Sequence, residues 1–295
     1  MPKPKILLQL DTDPQPSVFD AVVAVDAGAE HLLRHGGVTA DGVRDLIYGG
    51  MFTRGPADLH STAVFIGGTN VTAAEEILKV VRRTFFGPLR MSVLMDAGGS
   101  NTTAAAAVLS AAKHLNLRET TALVLGGTGP VGQRVARLLA GAGATVRVGS
   151  RDSKRAEAVC KGLADRVGGD RLSAWSTSDD ESLHSALAGV HLVVAAGPPG
   201  VALLNANARR SATALKLAID LNAVPPVGIA GIDPRDEAKP LDGIIAYGAL
   251  GIGGLKMKIH KAAIRWLFET NDAILDAEEV FELGCRLLNA AAHIV

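Results

Sequence analysis

The stretch 123-LVLGGTGPVGQRVARLLAGAGATVRVGSRD-152 carries the most structural information in the chain. An apolar run leads into Gly127, Gly129 and Gly132, spaced G-x-G-x-x-G; a helical pattern follows, and a second apolar run, 145-TVRVGS-150, closes the unit. Glycine is common, so the spacing alone says little. A strand directly before, a helix directly after and a second strand about 20 residues on make it a dinucleotide fingerprint. Gly127 then makes the tight turn, Gly129 lets backbone approach a pyrophosphate, and Gly132 lets helix and strand pack closely. Thr128, Pro130 and Val131 complete the turn, and the helix N-terminus offers N–H groups and a positive dipole end to phosphate.

The nucleotide type is read at the end of the second strand. An acid there takes a ribose 2′-hydroxyl, whereas a 2′-phosphate needs that acid absent and a cation present. Ser150 and Arg151 fill the place, with Lys154 and Arg155 one helical turn on. A hydroxyl beside guanidinium and ammonium groups suits a phosphate dianion, so the expected cofactor is NADP. Asp152 is expected to open the next helix as its cap. Further turns, 197-GPPG-200 and 220-DLNAVPPVGIAGID-233, follow later strands and add Ala196, Gly197, Asn222 and Ala223 to the expected cofactor contacts.

Working outward, apolar strand-length runs alternate with helical patterns, the signature of βαβ units. Strands fit 121–126, 145–150, 171–175, 190–196, 215–220 and 244–248; before them, 5-KILLQLD-11, 61-STAVFIGG-68 and 91-MSVLMDA-97 also read as strands. Helices fit Val18 to Arg34, Ala73 to Phe86, Thr102 to Leu115, Leu255 to Phe268 and Asp276 to Ala292. The segment 36–56 is left open, with 43-VRDLIYGGMF-52 able to hold a helix and a short strand. The fold class is α/β: a Rossmann-type doubly wound parallel sheet domain plus a smaller α/β substrate domain. The smaller domain takes residues 1–115 and is completed by the C-terminal helix within 270–295; the nucleotide domain takes 116–269.

Composition narrows the function classes. Lys plus Arg and Asp plus Glu both number 30, which leaves no global field for nucleic acid or an acidic membrane. The two cysteines, Cys160 and Cys285, lie far apart within helical patterns, away from metal-ligand or redox spacing. No charged-then-apolar leader and no apolar run of the roughly 18 residues a membrane helix needs is visible, so a soluble cytoplasmic protein is expected. There is no H-E-x-x-H, no cysteine cluster and no G-x-S-x-G; no metal site is expected. Of the two tyrosines, Tyr48 and Tyr247, neither sits in a Tyr-x-x-x-Lys pair. Alcohol oxidation wants a general base, and none announces itself.

The motifs 11-DTDPQPSVFD-20, 85-FFGP-88, 96-DAGGSNTTAAA-106, 220-DLNAVPPVGIAGID-233 and 248-GALGIGGLKMKIHKA-262 carry a resemblance that runs nearly end to end. The chain resembles the NADP-dependent methylene-tetrahydromethanopterin dehydrogenases of bacterial one-carbon metabolism, a family that includes enzymes acting also or mainly on methylene-tetrahydrofolate. The resemblance implies a pterin-binding first domain, NADP in the second, and a homo-oligomer, a trimer. It also accounts for the missing base. The bridging carbon of a methylene-tetrahydropterin lies between two nitrogens, so a lone pair drives hydride out and leaves a delocalised amidinium, with no proton to remove from carbon.

Candidate residues follow. Lys256, after 251-GIGG-254, and Asp20 are the expected catalytic pair; Ser17, Phe19, Asp96, Ser100, Asn101, Thr102 and Thr103 are the expected pterin contacts. Capping competes with these roles: Asp20 follows Ser17 at a helix start, and the 96–103 hydroxyls and amides suit a helix cap as well as a ligand. Lys256 falls in a first helical turn, where the dipole disfavours a cation. His260, one turn on, is secondary. The expected reaction gives methenyl-tetrahydromethanopterin and NADPH. A folate-preferring dehydrogenase is the near alternative and a non-catalytic NADPH-sensing Rossmann protein the distant one. The Tyr-x-x-x-Lys signature of cyclohydrolase-bearing folate enzymes is absent, so no cyclohydrolase activity is expected.

Overall fold

The computed structural model describes residues 3–292. The chain divides into two compact units: residues up to Thr102 together with those from Met257 onward, and Thr103–Lys256. Each is an α/β layer structure around its own sheet.

In the first unit the elements run β1 (Ile6–Asp11), α1 (Val18–Asp26), β2 (His31–His35), α2 (Val43–Met51), β3 (Thr62–Gly67), α3 (Val71–Thr84), β4 (Ser92–Met95) and then α4 (Ser100–Ala112), which continues into the second unit. The second unit carries β5 (Thr121–Leu125), α5 (Pro130–Gly141), β6 (Thr145–Ser150), α6 (Ser153–Val167), β7 (Leu172–Ser176), α7 (Asp180–Leu187), β8 (Leu192–Ala195), α8 (Ala206–Ser211), β9 (Leu217–Asp220), β10 (Lys239–Leu241), β11 (Ile244–Tyr247) and the start of α9 (Gly253–Trp266). β12 (Ile274–Leu275) and α10 (Ala277–Ala292) belong to the first unit again.

The first sheet has the order β12-β4-β3-β1-β2, all its pairs parallel. β3 lies centrally and is buried along its whole length, as its unbroken apolar run requires. α3 buries Val71, Ala74, Ile77, Leu78 and Val81, a stripe at helical spacing, into a core shared with Leu8, Leu10, Val64, Ile66 and Met95. Burial of each of the Val, Leu, Ile and Met side chains contributes about 1.5–3 kcal/mol. The second sheet has the order β10-β11-β9-β8-β5-β6-β7. Only the β10–β11 pair is antiparallel. Leu123, Leu125, Val193, Ala195 and Ala218 pack with Leu183, Leu187 and Ile229 on one face of it. β5 stands between β6 and β8, so the strand order reverses around it, the arrangement that opens a binding crevice at the carboxyl ends.

Three local expectations change. The single helix expected over Val18 to Arg34 stops at Asp26, because Gly28 turns left-handed with φ 100° and Ala29 N–H bonds back to Ala24 O at 3.0 Å. From His31 the chain then pairs with β1, Ile6 opposite His31. The open segment resolves to helix throughout Val43–Met51, with a 3-10 turn at Pro56–Ser61 and no strand among 43–52. Two short edge strands, β10 and β12, had no sequence signal strong enough to be read.

Candidate nucleotide and pterin sites

The cradle at the end of β5 divides its labour among the glycines differently from the simple fingerprint. Gly126, one residue before the motif, carries the left-handed turn with φ 67°, and Gly129 N–H closes it on Gly126 O at 3.0 Å. Gly127, expected to make that turn, instead packs against β6: an added Cβ would meet Val124 O and a Val148 methyl, both at 2.9 Å. At Gly132 a Cβ would lie 2.5 Å from Gly126 O and 2.8 Å from Gly127 Cα, so α5 can approach β5 only without a side chain there. At Gly129 the nearest atoms to a Cβ are carbonyl oxygens at 3.4 and 3.7 Å, so space remains beside the helix start. Pro130 occupies the first helical position, where a missing N–H costs nothing. Gln133 Nε2 donates to Thr128 O at 2.9 Å and fixes the turn. This is a cradle that a pyrophosphate fits.

At the end of β6, Ser150 is buried and its Oγ accepts from Asp152 N–H at 3.1 Å, which leaves the hydroxyl proton to donate. Asp152 caps α6, its Oδ1 accepting from Arg155 N–H at 3.2 Å. The carboxylate is thereby held to the helix, and Arg151, Lys154 and Arg155 stand exposed around the helix start. Ala196 and Gly197 follow β8, and Gly197 meets Gly126 so closely that a Cβ on Gly126 would lie 2.7 Å from Gly197 Cα. Asn222, after β9, is buried with its side chain bonded to its own loop, donating to Pro226 O at 3.1 Å and accepting from Val224 N–H at 2.9 Å; Ala223 beside it is exposed. All the expected cofactor residues thus lie at the carboxyl ends of four neighbouring strands, β9, β8, β5 and β6.

The sequence missed Asp220. It ends β9 at 1% exposure, with Oδ1 accepting from Asn222 N–H at 3.0 Å and Oδ2 from Ile229 N–H at 2.8 Å. Burial pushes its carboxyl above the usual range, against the opposing pull of those N–H bonds. The available signal was an acid closing an apolar strand before a glycine- and proline-rich loop.

In the first unit the expected pterin residues lie at the carboxyl edge of the other sheet. Ser17 caps α1, its Oγ accepting from Asp20 N–H at 3.2 Å, so Asp20 is a half-buried acid in the first turn. Phe19 is 54% exposed. The loop before them is pinned by another buried acid, Asp11, whose two oxygens accept from Asp13 and Ser17 N–H, each at 2.9 Å. Gln9 adds a bond from Nε2 to Ser17 O, and Arg34 reaches both Gln9 Oε1 and Pro16 O. The neighbouring loops are tied in turn: Thr69 bonds Asp13 through N–H and hydroxyl, and Gly98 N–H donates to Gly68 O at 2.7 Å.

Asp96 is buried and serves α4. Its Oδ1 accepts from Asn101 and Thr102 N–H at 2.9 and 3.0 Å, and its Oδ2 from the Thr102 hydroxyl at 2.7 Å. Ser100 Oγ bonds Ala97 O, while Asn101 Nδ2 bonds Met95 O and Asp276 Oδ1. Asp96, Ser100, Asn101 and Thr102 are therefore engaged in building the helix start; Thr103, half-buried, follows as the first residue of the second unit. Lys256, half-buried, is the fourth residue of α9, its N–H bonded to Ile252 O at 3.0 Å. His260 is buried, stacked on Phe65 at 5.8 Å and tilted against Phe19 at 6.5 Å between ring centroids. Lys256 and Asp20 belong to different units.

Residues 18–98 match the family model described as methylene-tetrahydromethanopterin dehydrogenase, N-terminal. The chain is 44% identical over 282 residues to bifunctional protein MdtA of Methylorubrum extorquens, covering 95% of this chain and 98% of that one. It is 33% identical over 281 residues to the NAD(P)-dependent methylenetetrahydromethanopterin dehydrogenase of the same organism, covering 92% and 94%. Among solved structures it resembles quinate dehydrogenase from Corynebacterium glutamicum in complex with NAD, with TM-score 0.56, 15% identity and coverage of 96% and 100%. Shikimate 5-dehydrogenase from Listeria monocytogenes gives TM-score 0.53 at 12% identity, covering 95% and 96%. At that identity the solved structures establish the Rossmann-type α/β fold alone. Near full-length identity to the two curated relatives establishes more: the chain belongs to the methylene-tetrahydromethanopterin dehydrogenase family.

Proposed function

We propose that the protein oxidises methylene-tetrahydromethanopterin with NADP to give methenyl-tetrahydromethanopterin and NADPH. The observation that carries this is the 33% identity across 92% of the chain to the NAD(P)-dependent methylenetetrahydromethanopterin dehydrogenase, joined to a glycine cradle shaped for a dinucleotide. NADP, when bound, supplies the hydride acceptor. The residues of this chain bind and orient. Gly129 leaves room for pyrophosphate at the start of α5, and the α5 N–H groups hold its charge. The Ser150 hydroxyl with Arg151, Lys154 and Arg155 holds the 2′-phosphate, while Asp152 is engaged as the cap of α6 and the three cations outweigh its charge.

The first unit binds the pterin through the rim around Ser17, Phe19 and Asp20. A folded, hydrogen-bonded loop presents Phe19 as an exposed ring backed by His260, suited to a flat heterocycle. Asp20 accepts from pterin N–H groups and offers negative charge to the forming amidinium. The substrate's own nitrogen lone pair expels the hydride, so positioning and charge support carry the rate and no general base is required. The family resemblance supports a homotrimer, which sedimentation equilibrium measures. No described helix is long and apolar enough to cross a membrane.

The test is NADPH formation followed by absorbance with methylene-tetrahydromethanopterin, methylene-tetrahydrofolate and, as cofactor control, NAD. Turnover with the methanopterin and NADP at the higher kcat/KM is expected. A higher kcat/KM for the folate would reassign the substrate, and binding of NADPH without turnover on either would leave a sensor.

A further inference from the structure

We infer that Asp220 is a positioning residue for the nicotinamide half of the cofactor, acting through the two loops that follow β8 and β9. The inference rests on the NADP reading above. One buried carboxylate clips both ends of the β9 loop together, Oδ1 on Asn222 N–H at 3.0 Å and Oδ2 on Ile229 N–H at 2.8 Å. Gly228 makes the clip possible: a Cβ there would stand 2.7 Å from Asp220 Oδ1 and 3.2 Å from Ala195 Cβ. The clip extends to the β8 loop, because Gly228 O accepts from Leu203 and Leu204 N–H at 2.8 and 3.0 Å. Leu221 N–H adds a bond to Ala195 O at 3.0 Å. Asp220 thus sets where residues 196–204 and 221–229 lie with respect to each other.

Those loops are separate from the adenosine end. The 2′-phosphate residues Ser150, which closes β6, and Arg151, which follows it, lie on the far side of β5 from β8 and β9 in the strand order. A dinucleotide laid across the reversal at β5, with its adenosine half at β6, has its other half at β8 and β9. Asp220 touches neither half. It holds main chain in place, and a displacement of about 1 Å in a reacting geometry is enough for a loss of about 100-fold.

The test is Asp220→Asn in the full-length enzyme. The amide keeps one acceptor and turns an N–H₂ toward the second backbone N–H, so one end of the clip opens while shape is kept. Two ligands separate the halves: NADPH carries both, and adenosine 2′,5′-bisphosphate carries only the adenosine half. The expected result is NADPH affinity and kcat each reduced about tenfold or more, with adenosine bisphosphate affinity within about twofold of wild type. Should the Asn variant fail to fold, Gly228→Ala disturbs the same clip by crowding the carboxylate, with the same expected split. Equal weakening of both ligands, or no change in either, overturns the inference. Wild-type protein that binds neither ligand overturns the NADP reading itself, which the wild-type titration reveals separately.

Discussion

Gly129→Ala and Gly132→Ala, two substitutions three residues apart, should fail in opposite ways. A methyl on Gly132 would lie 2.5 Å from Gly126 O and 2.8 Å from Gly127 Cα. Those distances fall roughly 0.7–1 Å short of the ~3.5 Å at which non-bonded atoms rest. Both neighbours are backbone and cannot rotate away, so α5 must lift off β5. Overpacking costs about 1–3 kcal/mol, and the rigid neighbours place this case near 3 kcal/mol. At roughly 2–4 °C per kcal/mol for a domain of this size, the melting temperature of the unliganded protein falls by about 6–12 °C. At Gly129 the nearest oxygens stand at 3.4 and 3.7 Å, which is ordinary contact, and its φ of −77° suits alanine. A poorer N-cap costs a few tenths of a kcal/mol to about 1 kcal/mol. Reduced freedom of the unfolded chain offsets it by about 0.4–1 kcal/mol. Gly129→Ala therefore melts with wild type but fills the space left for pyrophosphate, weakening NADPH by about tenfold or more, equivalent to 1.4 kcal/mol. Thermal melts without ligand and a fluorescence titration with NADPH measure the pair. Equal melting losses, or undiminished NADPH affinity in Gly129→Ala, would refute the division of roles.

Three other outcomes are expected. Arg151→Glu places an acid where a ribose 2′-hydroxyl would be taken, so the NADP-to-NAD ratio of kcat/KM should fall by about tenfold or more; an unchanged ratio removes Arg151 from the 2′-phosphate contacts. Asp96→Ala leaves two buried N–H donors of α4 without their acceptor and should destabilise the protein by about 3 kcal/mol, read by urea titration; a change below about 1 kcal/mol contradicts the capping role. Asp220 has its folded-state pKa raised, so its contribution to stability is fully present below the unfolded carboxylate value of about 3.9 and is lost as pH rises through the higher folded value. The melting temperature of wild type relative to Asp220→Asn should accordingly decline as pH rises across that window, and a difference that grows with pH would reverse the sign.

Legibility in the sequence tracks burial. The central strands of both sheets are covered on two faces and so read as unbroken apolar runs, as in 121-TALVLG-126 and 61-STAVFIGG-68. The strands that escaped notice are edges. β2, with the sequence HLLRH, is exposed at three of its five positions and reads as the polar tail of a helix. β10 contains a proline, tolerated at an edge, and β12 has two residues, too few for any pattern. Within the site, glycine spacing located the cradle because close backbone contact leaves only one residue type. It misassigned the turn by one position, since Gly126 and Gly127 are identical in sequence and only the left-handed φ separates them. Asp11 and Asp220 were invisible as loop anchors because their partners are main-chain N–H groups, which no side-chain pattern records.

The order in which the ribosome delivers this chain bears on how its first sheet is completed. β4 takes β12 as its neighbour, with Ile274 opposite Val93, and Ser92 Oγ donates to Thr270 O at 2.7 Å. Those partners are made only after the whole of the nucleotide unit, an uninterrupted segment that can collapse as it emerges. Until then β4, apolar and buried in the finished protein, is an open edge able to pair with another nascent chain. A premature stop between Lys256 and Thr270 would leave a finished nucleotide unit attached to a sheet that invites aggregation.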